Sequence, residues 1–127
     1  KYVLGNHPEC KKIIIDNRMI ERSYGKLEGN YHSFIVKKFG KEQFDKWHRE
    51  FNNRPPSGES FADVEKRVRS FIKYLKKLIR KEKVNVAISS HGNSIRLFRK
   101  VWEKKSKEET VKWFIPYDKV FSYKIKI

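Results

Sequence analysis

An α/β protein with a layered sheet is the fold class this sequence predicts, and three observations predict it. A short apolar run, Val84-Asn85-Val86-Ala87-Ile88, stops at Ser89-Ser90-His91-Gly92-Asn93-Ser94 and passes at once into an amphipathic run. Ile95, Phe98, Val101 and Trp102 recur there at helical spacing, so the unit reads as strand, tight turn, helix. Upstream, Phe61, Val64, Val68, Phe71, Ile72, Leu75, Leu78 and Ile79 form the apolar stripe of a long helix over Phe61–Lys83. Val120–Ile127 alternates, with Phe121, Tyr123, Ile125 and Ile127 on one face and Ser122, Lys124 and Lys126 on the other. That is the pattern of a half-exposed strand near a sheet edge. Strands alternating with helices argue for a sheet covered by helices.

The remaining elements follow in chain order. Lys12–Ile15 is a short apolar strand candidate ended by Asp16-Asn17. A glycine-containing loop, Glu21–Gly29, leads to a helix over Tyr31–Phe39 that Gly40 stops. Lys41–Phe51 is a second helix with Phe44, Trp47 and Phe51 on one side, and Asn52–Gly58 is a turn-rich connector. Ser60 caps the long helix, with Asp63 in the place of the capping-box acid. Ser106-Lys107-Glu108-Glu109 starts a short helix to about Phe114, which Pro116 ends. Trp47, Trp102 and Trp113 are read as packing residues.

Composition sets the outer bounds. At 127 residues the chain is one domain or part of one, and 38% hydrophobic content with nine Phe, six Tyr and three Trp supports a packed core. Cys10 is the only cysteine, which excludes an internal disulfide and fits a reducing, cytoplasmic setting. No apolar run reaches the length of a membrane span. The chain starts at Lys1, and Tyr2-Val3-Leu4 reads as the tail of an element already under way, so 1–127 is expected to be a single domain incomplete at its N-terminus. The net charge of +16 invites a nucleic-acid reading. Much of that charge lies between Lys66 and Lys83, out of phase with the apolar stripe, and a solvated helix face accounts for it. Neither zinc-ligand spacing nor an aromatic-basic RNA motif is present.

Two places carry chemistry. His91 stands at a strand-to-helix junction, where unpaired N–H groups and the positive end of the helix dipole suit a phosphate. Gly92 lets a ligand approach the backbone, and Asn93 or Ser94 is positioned to cap the helix. The plainer alternative is a buried structural histidine. The second place is Glu21-Arg22-Ser23-Tyr24-Gly25, a carboxyl, a guanidinium and a phenol on one loop. Glu21 suits general acid work, against the alternative of a surface Glu–Arg pair in a turn.

Together with Pro56-Ser57-Gly58-Glu59-Ser60, these segments form an ordered trio: Glu21–Gly29, Pro56–Ser60 and Ala87–Arg96. In residues and order the trio resembles the histidine phosphatase superfamily, which includes the cofactor-dependent phosphoglycerate mutases, and the likeness runs through essentially the whole chain. It implies a three-layer α/β/α fold with a mostly parallel sheet, here lacking the first strand and helix. It also implies phosphoryl transfer through a phosphohistidine. By match of motif, Glu21 would protonate the leaving oxygen and His91 would donate to a phosphoryl oxygen. Gly92 and Asn93 would add contacts beside it, and Arg22, Ser23, Tyr24, His32, His48 and Arg49 would hold the rest of the substrate. The nucleophile belongs to an Arg-His-Gly turn, and no such turn occurs in these residues, so the fragment alone is expected to be inactive. No metal is implied.

Within the superfamily, mutases place Lys where this chain has His32 and an Arg pair where it has His48-Arg49; the connector Asn52–Ser57 is also short. Histidines grip anions only when protonated, which favours water as acceptor and hence phosphomonoester hydrolysis. The alternative is a 2,3-bisphosphoglycerate-dependent phosphoglycerate mutase of glycolysis, with that bisphosphate as cofactor; a phosphatase needs none. The implied partner is a small phosphorylated metabolite, with a homodimer allowed and no membrane. From a different class, a noncatalytic basic module binding an anion such as RNA stays open.

Overall fold

The computed structural model describes residues 7–10 and 12–126. The expected element tail at Tyr2-Val3-Leu4 and the strand end at Ile127 lie outside the described residues. Two one-turn 3₁₀ segments, Asn17–Met19 and Gly25–Leu27, precede the helices α1 (His32–Phe39), α2 (Lys41–Arg49), α3 (Phe61–Glu82), α4 (Gly92–Glu103) and α5 (Lys107–Lys112).

Each helix ends where its sequence says it should, within a residue or two. Gly40, at φ +84°, closes α1 with its N–H on the Val36 carbonyl and then serves as the N-cap of α2. α3 begins in a reciprocal capping box: the Asp63 N–H donates to Ser60 Oγ at 3.2 Å, and the Ser60 N–H donates to Asp63 Oδ2 at 2.8 Å. Arg54 adds a two-pronged contact to the same Asp63 carboxylate, at 2.6 and 3.0 Å. A Ser60→Ala variant is expected to lose about 1 kcal/mol of stability. Its urea midpoint should fall at unchanged slope; an unmoved midpoint would mean that Arg54 alone suffices to hold Asp63. α5 has the second box, Ser106 with Glu109, and stops at Lys112 rather than Phe114.

The apolar stripes of α3 and α4 bury each other. Phe61, Val64, Val68, Phe71, Ile72 and Leu75 meet Leu97 and Phe98, with Met19 and Phe51 sealing the edges. Burying each such side chain contributes about 1.5–3 kcal/mol. A smaller cluster, Leu27, Ile35 and Trp47 with Tyr24 and Phe44 against it, joins α1, α2 and the Gly25 turn. Trp47 and Trp102 pack as expected; Trp113 lies under the Arg99 guanidinium, 4.5 Å from its ring centre.

The expected sheet is where structure and sequence part. Among the described residues no strand ladder forms, and Lys12–Ile15, Val84–Ile88 and 120–126 run without strand pairing. A helix satisfies its backbone within one segment, whereas a strand needs a partner at hydrogen-bonding distance. Ile13, Ile14, Ile15, Val84, Val86 and Ile88 accordingly stay exposed. The alternation at the C-terminal end survives without a ladder. Phe121, Tyr123 and Ile125 are half-buried while Ser122, Lys124 and Lys126 face solvent. Tyr123 donates to Glu103 Oε1 at 2.5 Å, and burial pushes its phenol up to about 12.

Most of the basic run on α3 is solvated: Lys66, Arg69, Lys73, Lys77, Arg80 and Lys81 are exposed. Lys76 is half-buried over Trp102, and Arg67, also half-buried, belongs to the site. No helix among the described residues is long and apolar enough to cross a membrane.

Candidate active site

Two glycines set the frame. Gly25 sits at φ +57°, and a Cβ there would lie 2.3 Å from the Pro56 carbonyl oxygen; one on Gly58 would lie 2.8 Å from Ser23 O. Only glycine lets these two backbones touch. The contact is sealed by the Lys26 N–H donating to Pro56 O at 2.9 Å and the Glu59 N–H donating to Ser23 O at 2.8 Å. Glu28 closes the loop from the other side, accepting from Ser23 Oγ at 2.7 Å and the Tyr24 N–H at 2.9 Å. The Glu21–Gly29 loop and the Pro56–Ser60 turn are therefore one rigid piece.

Arg67 latches that piece to α3. Its guanidinium donates to the carbonyls of Arg18 at 2.8 Å, Ile20 at 3.0 Å and Glu21 at 3.2 Å, and it forks onto Glu59 at 2.9 Å through both Nε and Nη2. Burial pushes the Glu59 carboxyl up, but Arg67 and the Ser23 N–H outweigh it and leave Glu59 below its ordinary range.

The Glu21 carboxylate, held by this frame, lies at the N-terminus of α4. It accepts the Arg22 N–H at 2.8 Å and the Asn93 N–H at 3.2 Å through Oε1, with Oε2 at 3.5 Å from the same Asn93 nitrogen. A Cβ on Gly92 would stand 4.0 Å from Glu21 Oε2, so the carboxylate lies close over the turn. This corrects the local expectation for capping. Neither Asn93 nor Ser94 caps α4 with its side chain: the Ser94 hydroxyl donates to the Ile20 carbonyl, and Ser90 Oγ to Met19 O. Those two bonds dock the turn onto the segment leading into Glu21, and the remote carboxylate takes the N–H a local cap would have taken. His91, the N-cap residue, is extended at φ −104° and its side chain is exposed, not a buried core histidine.

The other expected ligands form a column of rings. Phe44 stacks on His48 at 4.1 Å between centres and His48 on Tyr24 at 5.2 Å; the Arg22 guanidinium lies 4.8 Å from the Tyr24 ring and 4.3 Å from that of Phe61. His32 meets the column edge-on, 5.9 Å from His48. Arg22 is 2% exposed, its Nε donating to Glu59 O and its Nη2 to Trp47 O, each at 2.7 Å. Its guanidinium is thus turned into the protein rather than toward solvent. His48 Nδ1 lies 2.7 Å from the Phe44 carbonyl. Burial lowers the His48 pKa, and the charges of Arg22 and His32 add to this, outweighing the bond to Phe44. His48 therefore stands as a neutral imidazole, with Nδ1–H the donor. Arg49 is exposed and lines a shallow hollow with Glu42, Asp45, Lys46 and Glu50. Glu59, Arg67 and Arg96 are parts of this region that sequence reading does not single out.

A family model of the histidine phosphatase superfamily (branch 1) matches residues 2–125. A 2,3-bisphosphoglycerate-dependent phosphoglycerate mutase of Chlamydia muridarum is 36% identical over 81% of this chain and 46% of its own length. The enzyme of the same name from Chlamydia abortus is 35% identical over 96% of this chain and 60% of its own. The chain thus spans about half the length of the curated relatives it matches. Among solved structures, a mycobacterial glucosyl-3-phosphoglycerate phosphatase with inorganic phosphate superposes with a TM-score of 0.68 at 21% identity, covering 79% of this chain and 51% of that one. That likeness is one of fold.

Proposed function

The chain belongs to the histidine phosphatase superfamily (branch 1), and from that premise we propose that it is the acid-donor half of a phosphomonoester hydrolase. The observation that carries the reading is the lodging of Glu21 against the first N–H groups of α4, beside His91. Two segments some 70 residues apart in sequence are brought together there, and each supplies one function that phosphoryl transfer requires. Glu21, in its protonated form, gives its proton to the leaving oxygen, and the carboxylate so formed takes a proton from the attacking water. His91 donates to an equatorial phosphoryl oxygen as charge builds, and Gly92 and Asn93 offer backbone contacts. The reading requires an attacking histidine and partner arginines in an Arg-His-Gly turn, which residues 1–127 do not include.

Water rather than a second hydroxyl is the acceptor in this reading. The neutral His48, with both ring faces covered, adds no cation to hold a second anionic group. A small phosphorylated metabolite as substrate and a cytoplasmic location belong to the same reading.

The test is leaving-group dependence in the full-length protein. Glu21→Gln is expected to slow hydrolysis of alkyl phosphates by about 100-fold or more and of aryl phosphates, whose leaving groups need no proton, much less. Equal losses would remove the general acid from Glu21. Turnover of 3-phosphoglycerate that depends on 2,3-bisphosphoglycerate would instead make the protein a mutase.

A further inference from the structure

Among the described residues, the buried side-chain polar atoms left without any hydrogen-bond partner are Arg22 Nη1 and Arg96 Nε. They belong to one place. Both guanidiniums lie over the ring of Phe61, at 4.3 Å for Arg22 and 5.7 Å for Arg96, and their mutual repulsion is among the influences on Arg22. Neither is neutralised by contact. The Arg22 acceptors are the uncharged carbonyls of Glu59 and Trp47, while Glu59's own carboxylate is taken by Arg67. Arg96 feels the Glu21 carboxylate as a neighbouring charge, without a hydrogen bond to it or to the nearby phenols of Tyr24 and Tyr117. The Glu21 carboxylate, whose charge acts on both guanidiniums, accepts instead from backbone N–H groups.

Two like charges over one aromatic ring, Arg22 buried and Arg96 half-buried, with no carboxylate bonded to either, are costly. A fold that only needed to fill this volume would do better with one apolar side chain. The arrangement becomes favourable when an oxyanion enters, because guanidinium groups bind tetrahedral and planar oxyanions through short charge-assisted bonds. Only the Nε of Arg96 is sealed off; the outer nitrogens of its guanidinium are not among the buried, unpartnered atoms. Arg96 also rises from the start of the second turn of α4, on the helix whose N-terminus holds Glu21.

We propose that Arg96 is an anion-binding residue of this site, taking oxygens of the substrate's phosphoryl group next to Glu21 while Arg22 supplies a second positive charge from beneath. The proposal rests on the phosphoryl-transfer reading and adds a residue to it. It also gives Arg22 a different role from direct contact: a buried charge that strengthens the potential felt by the anion.

The test uses the full-length protein with inorganic phosphate as the probe and needs no turnover. Thermal denaturation is followed in chloride and in phosphate at matched ionic strength. The wild-type midpoint is expected to rise with phosphate. Arg96→Met is expected to raise the midpoint in chloride, because one of two repelling charges is gone, and to weaken the phosphate response by about 10-fold in apparent affinity. Arg96→Lys should keep part of the response, and Arg80→Met, a change of an exposed cation on α3, all of it. Glycerate, which carries a carboxylate and no phosphoryl group, should produce no midpoint rise that depends on Arg96. The proposal is overturned if phosphate leaves the wild-type midpoint unmoved, if Arg96→Met lowers the chloride midpoint as loss of a packing residue would, or if glycerate stabilises as well as phosphate. Failure of hydrolysis in the full-length protein, with the phosphate result intact, would sink the catalytic reading and leave the anion site standing.

Discussion

Replacing His91 with Ala is expected to lower kcat of the full-length protein on phosphomonoesters by about 100- to 1,000-fold, the scale for removing one preorganised donor to a developing oxyanion. The expectation follows from position. His91 is exposed at the N-terminal end of a twelve-residue helix, with the Glu21 carboxylate on the N–H two residues on. Its side chain has no capping duty, so its loss should leave the turn intact, and the Ser90 and Ser94 hydroxyls still dock that turn. The change should fall on kcat rather than KM, because the donor matters most when negative charge has built up. A loss smaller than tenfold, or one confined to KM, would reduce His91 to a shaping residue of the turn.

The largest effect on stability is expected from Gly25→Ala, about 3 kcal/mol or more. Two causes add. The residue is held at φ +57°, where a side chain costs about 1–2 kcal/mol. Its new Cβ would also fall 2.3 Å from the Pro56 carbonyl oxygen and 2.4 Å from the Ser57 carbonyl carbon, both backbone atoms that cannot swing aside. Gly29 is the internal control: it has φ +75° but nothing within 4 Å of where a Cβ would stand, so Gly29→Ala should show only the conformational part, about 1 kcal/mol. Urea denaturation of the two variants separates clash from strain; equal losses would mean that the loop and the Pro56 turn are less tightly joined than their geometry shows. Because the same loop carries Glu21, Gly25→Ala should also depress turnover.

Helix positions are legible in the sequence because a helix is specified locally. The apolar stripe of Phe61–Glu82 and the Ser60 and Ser106 boxes can be read without knowing what surrounds them. The strands are legible only as patterns: apolar runs at Lys12–Ile15 and Val84–Ile88 say that a segment can be extended, while pairing depends on a partner elsewhere. Glu21 and His91 stand out through their motifs. Arg67 does not, since in sequence it is one of a crowd of basic residues on α3 and only its orientation toward the Arg18, Ile20 and Glu21 carbonyls distinguishes it. The cap of α4 departs from the local reading for a related reason. Asn93 and Ser94 are the local candidates, and a carboxylate arriving from Glu21 outcompetes them only once the chain has folded. Arg96 is hidden in the same way, because being unpaired is a property of its surroundings.

The column Phe44–His48–Tyr24–Arg22–Phe61 begins in the small cluster under α1 and α2 and ends in the main core under α3 and α4. Next to its core end the Arg22 guanidinium is bonded to a carbonyl at the end of α2 and to another just before α3. Neither cluster can come apart without stranding that buried charge, which makes opening of one half expensive unless the other opens too. The amides of the site loop between them are consequently expected to exchange with the free energy of global unfolding rather than early, as irregular backbone otherwise does.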